Sequence, residues 1–289
     1  HYDERWAIWH AHLCLKKQMH NLPVGGVRGS RAERVVFKHY RPWEPDLDHA
    51  SAGKRGLTDI VVDAVLCVGR RFCLKQVLLM KPEMLSVYVL TDRHIAGERS
   101  IVDVIEATLR GGATMVQLRE KECSDEEMLA IGRKLQQLTR QAGVPLIIND
   151  RINIALELDA EGVHVGQSDM TARDVRQLIG AHRILGVSAE TVEEALLAQQ
   201  AGADYLGVGD VYGTSSKLDA TPPIGLQGLA AIVQAVSIPV VAIGGITLEN
   251  AVATIQAGAA GVAVISAIIG AADPEGATRL LRKNIRMSC

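Results

Sequence analysis

From Met84 onward the chain alternates between short runs of apolar, mostly β-branched residues and longer amphipathic stretches rich in Ala, Leu, Glu and Arg. The runs are Val87–Leu90, Met115–Leu118, Leu146–Ile148, Gly162–Val165, Ile184–Val187, Tyr205–Val208, Val240–Ile243 and Gly261–Ile265. Runs this short, closed by polar or small residues, predict buried strands, and the stretches between them predict helices. Ser124 to Gln141 and Thr191 to Gln200 are the clearest helices; in the first, Ser124 and Glu127 have the spacing of a capping box. Pro145 and Pro239 each open a strand, where a missing N–H does little harm. Gly111-Gly112, Gly143, Gly202 and Gly258 stand where helices should end in left-handed caps. Eight evenly spaced strands alternating with helices predict a parallel (β/α)8 TIM barrel in preference to a doubly wound sheet. Gly244-Gly245-Ile246 at the seventh strand points the same way.

The stretch before Met84 is different material. It holds all three Trp, both Phe, six of the nine His and three of the five Cys. Its net charge is +5 (14 Lys and Arg against 9 Asp and Glu), whereas the rest carries −7 (17 against 24). No period of 3.6 or 2 is sustained there, and Pro23-Val24-Gly25-Gly26 and Pro42-Trp43-Glu44-Pro45 interrupt it. The run Ile60 to Val68 has no evident partner. We expect residues 1–83 to be an irregular or weakly folded extension and residues 84–289 to be the barrel domain. A small accessory domain, or a reading-frame extension upstream of a start at Met84, are the other readings of 1–83.

Composition narrows the function. A net charge of −2 over 289 residues gives no basic surface for nucleic acid. No stretch approaches the ~18 uninterrupted apolar residues of a membrane span, and His1 to His20 lacks the layout of a secretory signal. An odd count of five Cys in a long chain fits reduced thiols and a cytoplasmic setting.

Chemistry in such barrels gathers at the C-terminal ends of the strands. After strand two, alternation would put Gln117, Arg119 and Lys121 on one face, forming an anion receptor in which Arg grips phosphate bidentately and Lys adds a point charge. The other reading is a solvated loop with Glu120 paired to a basic neighbour. Asp150 after strand three and Asp169 after strand four have the chemistry to share a hard cation such as Mg²⁺; each is equally suited to capping a helix. Thr214-Ser215-Ser216-Lys217 offers hydroxyls, N–H groups and one cation to a phosphate. Gly244-Gly245 and Ile265-Ser266 mark the exits of strands seven and eight, where barrels frequently hold phosphate. His164 reads as a packed barrel residue. Cys123 has no partner for a zinc or nucleophilic site. Walker A, G-x-G-x-x-G and G-x-S-x-G motifs are missing from the sequence.

Taken in order, Tyr88-Val89-Leu90-Thr91-Asp92, Gln117-Leu118-Arg119-Glu120-Lys121, Ile147-Ile148-Asn149-Asp150, His164-Val165-Gly166-Gln167-Ser168-Asp169, Gly186-Val187-Ser188, Thr214–Lys217 and Ala242-Ile243-Gly244-Gly245-Ile246 resemble the thiamine-phosphate synthase family, from about Met84 to Arg286. The resemblance implies condensation of a pyrimidine-methyl diphosphate with a thiazole ethyl phosphate, releasing pyrophosphate. It implies that the string Gln117, Leu118, Arg119, Glu120 and Lys121, together with Asn149, holds the pyrimidine diphosphate. Asp150 and Asp169 would carry Mg²⁺, and Ser188 would contact the pyrimidine substrate or the leaving group. Thr214, Ser215, Ser216, Gly245, Ile265 and Ser266 would hold the thiazole phosphate, with Lys217 on the pyrophosphate. Arg119, Lys121, Ser188 and Lys217 would be the catalytic set. The family usually carries Thr at both hydroxyl positions of that loop and Pro before the first; here Ser216 and Gly213 stand there. Hydroxyl chemistry survives, and looser loop closure is expected.

Three rivals share features of this pattern. A thiazole tautomerase would need neither the paired Asp nor the diphosphate cations. Another phosphate-binding barrel, such as an aldolase or isomerase of indole or pentose metabolism, is the second, and a Schiff-base aldolase would need a Lys inside the barrel. A thiazole-phosphate binding protein, or a barrel fused to a regulatory segment, would need no catalysis.

Overall fold

The computed structural model describes residues 80–213 and 222–287. The expected extension up to residue 79, including the run Ile60 to Val68, lies outside the described residues, as do Thr214, Ser215, Ser216 and Lys217.

Eight parallel strands close into a barrel in sequential order: β1 (Val87–Leu90), β2 (Met115–Leu118), β3 (Leu146–Asn149), β4 (Gly162–Val165), β5 (Ile184–Ala189), β6 (Tyr205–Val208), β7 (Val240–Ile243) and β8 (Gly261–Val264). Helices connect them: α1 (Arg93–Ala96) and α2 (Ile101–Gly111), α3 (Asp125–Ala142), α4 (Ile152–Leu158), α5 (Ala172–Ile179), α6 (Val192–Gln200), α7 (Gly225–Ala235), α8 (Ala251–Gln256), and finally α9 (Ser266–Ile269) and α10 (Pro274–Arg286). The closing pair β1 and β8 joins Tyr88 to Ala263, so the sheet has no free edge to protect.

Local chemistry sets the helix ends. Ser124 and Glu127 form the expected capping box on α3, and Thr191 with Glu194 forms another on α6. Gly112 and Gly143 end α2 and α3 with left-handed φ of 99° and 66°.

Strand alternation divides the core into two layers. Val87, Val89, Val116, Leu118, Ile148 and Val163 belong to the large outer cluster between strands and helices. The barrel's interior is the smaller cluster of Tyr88, Leu90, Met115, Ile147, Ile184, Tyr205, Val241 and Ala263. Below it, a 3₁₀ turn at Pro82–Leu85 buries Leu85 completely. Met80 and Met84 pack against the same cluster.

Candidate active site at the barrel mouth

The upper inward positions of the strands are polar. Gln117 lies level with Leu90 and Ile147, Asn149 with His164, and Ser188 with Gly207. Buried polar atoms need partners, and these find one another across the barrel. Gln117 Nε2 donates to the Tyr88 hydroxyl at 2.6 Å, and the Tyr88 and Tyr205 hydroxyls lie 2.8 Å apart. Tyr205 Oη is 3.0 Å from His164 Nδ1, and His164 Nε2 is 3.0 Å from Ser188 Oγ. Burial pushes His164 down to about 4 and both tyrosines well above the ordinary phenol value, so the network is neutral at physiological pH. His164 is therefore packed, as expected, and it also spans the interior.

The string after β2 splits by position. Gln117 faces inward, whereas the Leu118 side chain is buried in the outer layer against α3 and α4. Strand alternation turns that side chain away from the mouth, which leaves the backbone of Leu118 for any substrate contact. Glu120 is also turned aside. Its carboxylate pairs with Arg93 Nε at 3.0 Å. Burial raises the Glu120 carboxyl above its usual range, and Arg93 offsets part of that effect. Strand geometry ends at Leu118, so the position of Arg119 is set by other means. Its N–H donates to Thr91 Oγ1 at 2.9 Å, and its guanidinium lies 3.7 Å from Asp92. Lys121 is exposed.

Asp150 follows β3 in a left-handed conformation, φ 58°, with its N–H donated to the His164 carbonyl at 2.9 Å. Burial, then a hydrogen bond and charge from Asp169, raise the Asp150 carboxyl from 3.8 to about 6, while Lys121 and Arg119 pull it down. These four side chains therefore share one electrostatic neighbourhood. Asn149 Nδ2 donates to Asp150 Oδ2 at 2.6 Å, and Gly166 N–H donates to Asp169 Oδ2 at 2.7 Å. Neither Asp caps a helix: Thr171 caps α5, and Arg151 precedes α4 with no side-chain cap. Arg151 pairs with Asp125 at 2.9 Å. No cluster of three or more metal-binding side chains occurs among the described residues. Two carboxylates are nevertheless a sufficient protein share for Mg²⁺, which fills its remaining positions with water and substrate oxygens.

At the opposite side of the mouth, Gly245 has φ 63° and would press a Cβ onto the Gly213 carbonyl. Tyr212 N–H donates to Gly244 O at 3.1 Å, and Gly213 N–H to Asp210 Oδ1 at 2.9 Å. The root of the Thr214–Lys217 loop is thereby fixed beside Gly245. Ile265 immediately precedes α9, and Ser266 is exposed at its first position.

Sequence reasoning assigned no role to Tyr88 or Tyr205 in the mouth. For the two tyrosines the readable signal was period 2: with Gln117, His164 and Ser188, they put polar atoms on inward-facing positions. Among the described residues the eight strands contain no Lys, the residue a Schiff-base aldolase would need inside the barrel.

Comparison with known proteins agrees with this geometry. The family described as thiamine monophosphate synthase matches residues 87–268. The chain is 60% identical over 195 residues to a thiamine-phosphate synthase of Roseiflexus sp. (strain RS-1), covering 68% of this chain and 83% of that one. It is 51% identical over 198 residues to one from Moorella thermoacetica, covering 68% and 94%. Among solved structures it resembles a thiamine phosphate pyrophosphorylase from Pyrococcus furiosus, with TM-score 0.66 and 42% identity over 72% of this chain and 98% of that one. On these grounds the chain belongs to the thiamine-phosphate synthase family, transferases of thiamine biosynthesis.

Proposed function

We propose that this mouth performs the family's condensation by ionisation first and capture second. The carbon–oxygen bond of the pyrimidine-methyl diphosphate breaks, and its electron pair leaves with pyrophosphate. The pyrimidinyl-methyl cation is stabilised by the ring's amino group. The thiazole nitrogen then donates its lone pair to form the new carbon–nitrogen bond. The sequence needs no protein nucleophile and no general base.

The observation that supports this reading is that the charges of Arg119 and Lys121 reach Asp150, which in turn feels Asp169. Arg119 and Lys121, joined by Lys217 from the loop, would stabilise the departing anion in a preorganised setting. Asp150 and Asp169 fit Mg²⁺: two adjacent carboxyls are the protein share that such an ion takes, and a cation would offset the burial and like charge that raise Asp150. When bound, the ion supplies Lewis-acid stabilisation of diphosphate oxygens. Gln117 and Asn149 would orient the pyrimidine diphosphate, and Ser188 would touch it. Gly245, Ile265, Ser266 and the hydroxyls of Thr214, Ser215 and Ser216 would anchor the thiazole phosphate and hold its nitrogen near the cation ahead of water. The substrates are small molecules. Among the described residues no helix is long and apolar enough to cross a membrane. A cytoplasmic setting, on the cysteine count, belongs to the same proposal.

Ionisation-first chemistry has a direct test. An electron-withdrawing substituent on the pyrimidine ring should lower kcat by orders of magnitude with little change in binding. An unchanged kcat would refute the cationic intermediate.

A further inference from the structure

The five-residue polar chain through the barrel has a direction. Gln117 presents its amide nitrogen to Tyr88, so Tyr88 Oη accepts there and has its own proton to give. The remaining neighbour in the chain is Tyr205 Oη at 2.8 Å. Tyr205, accepting from Tyr88, passes its proton to His164 Nδ1 at 3.0 Å. The imidazole must then carry its hydrogen on Nε2, where it donates to Ser188 Oγ at 3.0 Å. The reverse order would need the Gln117 amide turned so that its oxygen, in place of Nε2, meets the Tyr88 hydroxyl.

The barrel makes room for this arrangement. A Cβ at Gly186 would collide with the Tyr205 ring and with His164 Nδ1, and one at Gly207 would stand 3.0 Å from His164 Cε1. Tyr88 and Tyr205 meet edge to face, with ring centroids 5.9 Å apart. Gln167 Nε2 holds the Ser188 carbonyl at 2.5 Å, so the serine backbone is fixed independently of its hydroxyl.

We propose that His164 and Tyr205 are positioning residues that hold the imidazole in its Nε2–H form and thereby make Ser188 a hydrogen-bond donor toward the mouth. Ser188, its lone pair engaged by His164, donates its O–H in a hydrogen bond to an acceptor on the substrate. A diphosphate oxygen is the acceptor that gains charge in the reaction, and an amino group of the pyrimidine is not the partner. The substrate half of this inference rests on the proposed function; the proton order does not.

Two measurements test it on the full chain. The first is ¹⁵N NMR of the protein labelled at histidine side chains and free of substrate, with the His164 resonances assigned by their loss in His164→Gln. The expected spectrum shows a protonated Nε2 and a bare Nδ1; a protonated Nδ1 would overturn the proposed direction whether or not the protein makes thiamine phosphate. The second is a double-mutant cycle. Tyr205→Phe should lower kcat by roughly 3–10-fold, the scale of one hydrogen bond, and should have no further effect in Ser188→Ala. Equal losses in both backgrounds would show that Tyr205 acts through packing alone and would overturn the positioning role. If Tyr205→Phe fails to fold, Tyr88→Phe, one link further from Ser188, serves in the same cycle.

Discussion

The carboxyl group of Asp150 faces that of Asp169, close enough to feel its charge, across the exits of neighbouring strands β3 and β4. Burial contributes most to raising Asp150 to about 6, and Asp169 adds to it. The folded value exceeds the unfolded 3.8, so in metal-free protein this group favours the fold below about pH 4. That contribution is lost as the pH rises through about 6. Mg²⁺ must displace the proton on Asp150, so its affinity should rise by about tenfold or more between pH 5 and 7.5, where one pKa unit is worth a factor of ten. Calorimetric titration of the wild type should show this rise with proton release. Asp150→Asn should bind weakly at both pH values. An affinity independent of pH would remove Asp150 from the metal site.

Lys217 should act on the leaving group. Replacing it with Ala should reduce kcat by roughly 10²–10³, the scale for one preorganised donor to developing charge, with a smaller change in KM. Steady-state kinetics with saturating thiazole phosphate gives the answer, and near-native turnover would contradict the role.

The sequence made local relationships readable and left distant ones hidden. Ser124 and Glu127 are three residues apart, and their capping box could be read directly. The strands were readable because buried β-branched runs are short and evenly spaced. By contrast, the partner of Tyr88 lies 117 residues away, and only barrel closure brings Tyr205 to it. Alternation placed Gln117 correctly inward but was extended past Leu118, where β2 ends and Glu120 turns back to Arg93. Asp150 and Asp169 each had a capping alternative, and neighbouring residues took over the helix starts.

Gly186 should tolerate no side chain. Ala there drives a methyl group into Tyr205 and His164, both fully or nearly fully buried. Overpacking on this scale costs about 1–3 kcal/mol, so the melting temperature should fall by roughly 3–10 °C. Differential scanning calorimetry checks it; an unchanged melting temperature would mean the interior is looser than this packing requires.

The start of the barrel has a measurable consequence too. Met84 N–H donates to the Lys81 carbonyl at 3.0 Å, and Met80 packs under the inner cluster. A chain beginning at Met84 should keep its kcat within about twofold while melting several degrees below one beginning at Met80, because partial exposure of a Met-sized group costs about 1–2 kcal/mol. Equal melting temperatures would show that residues 80–83 add nothing.

The central claim is that one positively charged strand-tip cluster, with a divalent cation, removes diphosphate from carbon beside an anchored thiazole. The most direct measurement is a product assay with pyrimidine diphosphate and thiazole phosphate together, with Mg²⁺ and then with the metal chelated. The account predicts thiamine phosphate and pyrophosphate in equal amounts, abolished by chelation and by Lys121→Ala with Arg119→Ala. Metal-independent turnover of the thiazole phosphate alone, with no pyrophosphate released, would contradict it and reveal a tautomerase.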